Sequence, residues 1–290
     1  QFSMRGSTDA TRNSFAPDTT FLSQLQNFLR RGFFHRGQFA FEWTPNAYNS
    51  LIFNSNVGYF KRRISDSTGY NFQNLTGEGS NQYYRLNNSE APTSSYDLGL
   101  NFKRTFDTKE QELNANLLYT VYNGTDEAYY NQFFVDTIST TSYTKISQKN
   151  QTQQNNKNLI AEANYVQPFP FGRLEAGLKS SFRTIDIDYA FFNYDPTQNN
   201  WILNTSISNN FIYAENIYAG YLTFSSKMGN FGYQVGLRSE YASTKADQRT
   251  SASVFKKDYF NIFPTVHLSY QLTNPNSIMF SYSRRVNRPS

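Results

Sequence analysis

The chain has 290 residues, a net charge of +5, 38% hydrophobic and 18% aromatic residues, two histidines and no cysteine. That inventory rules out disulfides, thiolate zinc sites and a cysteine nucleophile, and it nearly excludes a multi-histidine metal centre. Mean hydropathy is −0.66 and apolar runs reach only four residues, as in Tyr189–Phe192; a spanning helix needs ~20, while 27 Phe and 22 Tyr do not suit a disordered chain.

Gln1–Arg5 lacks a charged start followed by an apolar core, so it is not a signal peptide. Residues 1–32 read as a strand end and an outer loop, and Arg284–Ser290 stops without a closing element, as in a piece of a larger protein. Within 20–31, Phe21, Leu22, Leu25 and Leu29 also fit a 3.6 period, so a short loop helix competes there. From 33 onward the signal is alternation. Phe39, Phe41 and Trp43 alternate with Gln38, Ala40 and Glu42, and Tyr96, Leu98, Leu100 and Phe102 alternate with Asp97, Gly99 and Asn101. Leu113, Ala115, Leu117, Tyr119 and Val121 share a face, and Phe231, Tyr233, Val235, Leu237 and Tyr241 oppose Gly232, Gln234, Gly236, Arg238 and Glu240. With similar stretches near 50–62, 157–166, 173–184, 213–226, 258–272 and 277–286, about ten strands are predicted.

Short turns at Thr44–Asn49, Asp107–Gln111, Gln167–Gly172, Lys227–Asn230 and Thr273–Asn276 alternate with long polar stretches at 66–94, 124–156, 187–212 and 243–257. Of the 33 residues in 124–156, 18 are Ser, Thr, Asn or Gln, so that stretch builds no core. A soluble sandwich accounts neither for strands longer than the usual ~5–6 residues nor for every second connection being long. An all-β, antiparallel up-and-down transmembrane barrel of outer-membrane type accounts for both. The apolar face then meets lipid and the polar face lines a wet interior. Trp43, Tyr59, Tyr96, Phe171, Phe231, Tyr259, Tyr270 and Tyr282 are candidates for the interfacial girdles.

The last strands read Phe263-Pro264-Thr265, then the turn Asn274-Pro275-Asn276, then Tyr282-Ser283-Arg284-Arg285-Val286-Asn287-Arg288-Pro289. This resembles the TonB-dependent receptor barrels of the Gram-negative outer membrane, and most of all the large outer membrane protein β-barrel family. Tyr282, Ser283, Arg284, Arg285, Arg288 and Pro289 carry the motif; elsewhere across 33–290 the likeness is architectural. The resemblance implies a barrel of about twenty-two strands around a preceding plug domain. It also implies uptake of a scarce nutrient driven through the TonB complex. The chain holds fewer than half of those strands, and neither plug nor TonB-contacting segment is legible in it. A structural barrel subunit of an export or insertion complex is the alternative.

No catalytic residue, metal site or cofactor is expected. By parity His267 faces the interior beside Thr265 and Ser269, as an ordinary lumen histidine, and His35 has no assigned role. Gly124–Glu127 and Asp66–Gly69 offer loop oxygens without an EF-hand's spacing. Basic residues fall in short clusters rather than along one helix face, so nucleic acid is not an expected partner. The aromatics Tyr129, Tyr130, Phe133 and Phe134, and Phe191, Phe192, Tyr194 and Trp201, exceed what a solvated loop needs. They either pack the loops or contact a substrate, a lid or a surface lipoprotein. With Thr44–Asn49 as a tight turn, residues summing to about 93 lie opposite each other. Arg30, Arg31, Arg36, Lys61, Arg62 and Arg63 then gather at the outer rim, either splayed into water or bridged by lipopolysaccharide phosphates.

Overall fold

The computed structural model describes residues 1–15, 20–74, 81–135, 143–273 and 275–286. The strands are β1 (Phe2–Ser14), β2 (Thr20–Asn46), β3 (Asn49–Asn74), β4 (Asn81–Thr105), β5 (Glu112–Val135), β6 (Tyr143–Phe169), β7 (Gly172–Asp195), β8 (Asn200–Leu203), β9 (Asn209–Met228), β10 (Phe231–Gln248), β11 (Ser253–Thr273) and β12 (Asn276–Ser283). They form one antiparallel sheet in chain order, except that the short β8 pairs only with the outer end of β7. The expected up-and-down architecture is therefore present, with β1 and β8 added to the ten strands read from the sequence. Among the described residues β1 and β12 each pair on one side only, and in hydrocarbon both free edges require a partner.

Faces follow from pairing. On β10, Val235 and Leu237 are half exposed, and they oppose Phe224 and Leu222 of β9 and Val266 and Pro264 of β11 on the same face. The alternate residues Glu240 and Ala242 are 8% and 0% exposed. The apolar set is thus the convex, lipid-facing side, and the polar set lines the interior. Carried across the registers, this places Phe39, Tyr96, Leu117, Leu159, Leu178, Leu222, Leu268 and Phe280 outward. Of the predicted girdle residues, Tyr259 is the exception. It pairs with the inward Ala242, and its neighbour Phe260 takes the outward place opposite Tyr241.

The tight turns form where expected. Asn46 Oδ1 accepts hydrogen bonds from the backbone N–H groups of Tyr48 and Asn49, both at 3.0 Å, an Asx turn. Gly229 supplies the positive φ of 59° between β9 and β10. Inside the barrel wall, Gly177 has a different use. It lies between Asn164 and Tyr221 on the adjoining strands, and a Cβ there would collide with both. Its absence lets the Tyr221 hydroxyl cross β7 and donate to Asn164 Oδ1 at 2.7 Å.

Two expectations fail. The four long polar stretches are mostly ladder, not loop: β5 and β6 stay paired from Glu112↔Val166 up to Val135↔Tyr143. Strands of 24 to 27 residues in β2–β7 run well beyond the ~9–11 that cross lipid. Above the membrane both faces are wet, so the alternating signal fades while backbone pairing continues. Residues 20–31 are also strand, not helix. Phe21, Leu25 and Leu29 are spaced by four, which satisfies period 2 as well as 3.6, and the ladder with β1 and β3 decides.

In barrels of this kind the short turns face the periplasm and the long hairpins face outward. Protease added to intact cells should therefore cut the β5–β6 hairpin before the turns at 107–111 or 227–230. Cleavage confined to those turns would reverse the orientation.

Candidate functional site: inner wall and outer rim

The inner wall carries five neutral ion pairs. Lys103–Glu112 (2.8 Å), Arg173–Glu175 (3.1 Å), Lys179–Glu162 (3.3 Å), Arg183–Glu215 (3.4 Å) and Arg238–Glu240 (3.0 Å) all face inward. Asn116 adds a bond to Glu162 at 3.1 Å. His267 faces inward between Gln234 and Ser281, as parity predicted. His35 lies outward, edge-on to Phe33 at 5.5 Å.

Higher up, the inner wall becomes aromatic and amide-rich. Tyr83 stacks on Tyr70 at 4.5 Å and contacts Phe134 at 5.3 Å and Phe72 at 6.2 Å. The Arg85 guanidinium sits 4.3 Å from the centre of the Tyr130 ring. Asn87 donates to Asp66 at 3.1 Å, and Gln148 donates to Asn193 at 3.1 Å. The buried side-chain oxygens of Asn87, Asn150 and Asn156 have no partner, and all three face inward. Tyr70, Phe72, Tyr83 and Arg85 were not singled out from the sequence, because they sit in a stretch read as solvated loop.

The two predicted aromatic loops divide by face. Tyr130, Phe134 and Phe191 turn inward; Tyr129, Phe133, Phe192, Tyr194 and Trp201 turn outward. Trp201 meets Tyr194 at 5.3 Å and Tyr129 at 6.1 Å, and the Lys149 ammonium lies over Phe192 and Trp201 at 4.7 and 5.3 Å. Phe133 stacks on Tyr84 at 4.6 Å. The loop oxygens at 66–69 and 124–127 do not converge, since alternate residues of a strand point to opposite faces.

The basic rim also divides. The register sums to 94, not 93: the turn closes tighter, at Asn46↔Asn49, and an irregularity between Trp43 and Asn46, beside Pro45 with no N–H for the ladder, offsets every pair above it by one. One residue of slip exchanges the faces. Arg31 now opposes Arg63 and Lys61 opposes Phe33, all outward; Arg30 opposes Ile64 and Arg62 opposes Gly32, with Arg36 also inward. Glu90 of β4 lies between Lys61 and Arg63, contacting Lys61 and bonding Arg63 Nε at 2.6 Å. Inside, Arg62 reaches Asp126 at 3.9 Å and Arg30 covers Phe28 at 4.7 Å. The six charges therefore do not form one unscreened cluster. Of the motif residues, Arg284 bonds through its N–H to Pro264 O at 3.3 Å, level with Leu237. Tyr282 and Ser283 lie on β12, Arg285 follows, and Arg288 and Pro289 fall outside the described residues.

Hydrogen bonds from Lys61 and then Arg63 hold the Glu90 carboxyl below its usual range. Glu127, directly opposite Glu90, is lowered by bonds from Gln151 and Tyr129, whereas burial raises Asp126 against the pull of Arg62. A lowered folded-state pKa gives stability that is present above the unfolded value and lost as pH falls through the folded one. Being exposed, the Glu90 pair contributes only about 0.2–1 kcal/mol. The protection factors of amides in the outer part of the β3–β4 hairpin, with the intrinsic pH dependence of exchange divided out, should therefore fall as pH drops below the usual carboxylate range. Glu90→Gln should raise exchange at the upper pH and flatten the dependence. A wild-type and variant pair with the same pH profile would remove Glu90 from this role.

The model of the outer membrane protein beta-barrel family matches residues 104–290. Among solved structures, the ferric citrate transporter FecA in its unliganded form aligns at 9% identity and TM-score 0.42, over 94% of this chain and 42% of that one. The copper transporter OprC aligns at 12% identity and TM-score 0.43, over 97% and 44%. The alcaligin outer membrane receptor FauA from Bordetella pertussis aligns at 11% identity and TM-score 0.44, over 96% and 42%. The chain thus spans less than half the length of these proteins, and no curated protein matches it. With the matched region covering well over half of its residues, the chain belongs to the outer membrane protein β-barrel family of the bacterial outer membrane.

Proposed function

We propose that this barrel wall serves a TonB-dependent transporter that takes up a scarce nutrient, without catalysis of its own. The observation that carries the reading is the inner wall. A sheet still open after eleven consecutively paired strands belongs to a barrel wider than the eight-stranded kind that side chains fill. Its interior is wet, and ten of its charged side chains are matched within the wall as five local ion pairs, so those charges need no partner from a plug or a cargo. The aromatic and amide wall above it, with Tyr70, Tyr83, Arg85, Tyr130 and Phe134, is a surface for first contact with the cargo.

The test compares the compounds left in a defined medium by wild-type cells, a strain lacking this gene and a strain lacking TonB. Both mutants should leave one and the same compound undepleted. If the gene-deletion strain clears the medium like wild type and instead loses a surface assembly, the barrel is a structural subunit. The outward group of Tyr129, Tyr194 and Trp201 favours that second reading, as a ready contact for a surface lipoprotein or other complex subunit.

The rim proposal narrows to Arg31, Lys61 and Arg63, three outward cations of which Lys61 and Arg63 share the Glu90 carboxylate, with Glu127 held by Gln151 and Tyr129 on the far side of Glu90, as a place for lipopolysaccharide phosphate. Replacing all three by Gln should lower co-purifying lipopolysaccharide and melting temperature together. Unchanged values of both would leave a solvated rim.

A further inference from the structure

A trough crosses the outward face just above the apolar band. Two cross-strand rows form its floor. One runs Ser94, Asn123, Asn155 and Asp186; the next runs Thr125, Gln153, Asp188 and Asn210. Tyr59 and Arg249 close its ends around a cavity of about 470 Å³. Below it, Tyr96, Tyr119 and Phe182 lie within four residues along their strands, about 7–13 Å. Above it stand Tyr129, Lys149 and Phe192. The floor is low because its side chains are short, and it lies at the depth of lipid headgroups rather than of acyl chains.

The lining is equipped for hydroxyl groups. Asn155 donates to Asn123 Oδ1, which leaves the Asn123 amide N–H and the Asn155 carbonyl open on neighbouring strands. Asn210 Oδ1 is buried without a partner, although its backbone is held by Thr250 and Arg249. Asp186 and Asp188 have no ion-pair partner among the described residues, and no third carboxylate or histidine joins them to hold a metal ion. Arg249 in the lining and the outward Lys157, opposite Thr184 next to the Asn155↔Asp186 pair, offset the two carboxylates, so the trough holds no cationic excess to select phosphate, whereas a carboxylate accepts strongly from hydroxyls and an amide both donates and accepts. Tyr59 at one end adds a flat apolar ring.

We propose that this trough binds the sugar headgroup of an outer-leaflet glycolipid through its hydroxyls, with the acyl chains lying against the apolar band below. The site is separate from the cationic rim and stands whether or not the barrel transports.

The test uses the full-length protein purified from its own outer membrane. The probes are lipopolysaccharide, the same glycolipid with its phosphates removed, and the headgroup oligosaccharide without acyl chains. Both glycolipids should raise the melting temperature, and the free oligosaccharide should not at the same molar concentration. The Asn155→Ala, Gln153→Ala, Asp188→Ala triple variant should retain about ten-fold less glycolipid, as expected for several hydrogen bonds lost together. Ser94→Trp, which fills the trough from another strand, should show the same loss should the triple variant fail to fold. Three results would overturn the proposal: binding that requires the phosphates, which returns it to Lys61 and Arg63; equal stabilisation by the free oligosaccharide, which makes a soluble saccharide the ligand; or wild-type retention by folded variants.

Discussion

In hydrocarbon an unpaired peptide N–H or C=O has no water to turn to, and each one costs several kcal/mol. The continuous antiparallel ladder from β1 to β12 answers that constraint, and the rest of the molecule depends on it. It sets the strand order, because neighbours joined by two-residue turns satisfy each other at once. It also removes the need for a conventional core. Among the described residues no large side chain is fully buried, since lipid takes the place of the second layer that a soluble sheet would require.

The same constraint explains what the sequence makes legible. Within the apolar band one face must suit lipid, so alternation is enforced and strands such as 95–103 and 231–241 can be read directly. Above the band the ladder persists for a different reason: pairing already begun is cheap to extend, and neither face has to be apolar. Gln148–Asn156 therefore reads as loop although every residue is paired on both sides. The chemistry of the outer hairpins was visible, as the aromatic excess at 129–134 and 191–201 shows. Its division between interior and exterior was not, because that depends on parity counted through turns of uncertain length.

The turn before β3 shows how much hangs on that parity. Pro45 cannot donate to the ladder, the strand gains an extra residue there, and every pair above it moves by one. That shift puts Arg31 on the outward face with Arg63 and Arg30 on the inward face with Arg62. Yet it does not leave the arginines bare, for Glu90 meets Lys61 and Arg63 on one face, and Asp126 meets Arg62 on the other. Both acids belong to strands separated from the arginines in sequence, so no reading confined to the β2–β3 hairpin could have found them.

The two faces thus handle charge differently. On the inner face ten charges are matched within the wall in five pairs, two of them at i and i+2 on one strand, Arg173–Glu175 and Arg238–Glu240. Pairs of that kind are complete within the wall, because both partners belong to it. Above the boundary, on the outer face, direct pairing is incomplete: Arg31 opposes Arg63, Glu90 meets only Lys61 and Arg63 with Glu127 across from it, and Asp186 and Asp188 make no ion pair in the amide-lined trough. Incompletely paired charge of both signs within a few strands is a poor way to stabilise a ladder. It becomes intelligible if the missing partners are supplied by the leaflet in which the barrel sits, whose headgroups carry phosphates for the cations and hydroxyls for the carboxylates.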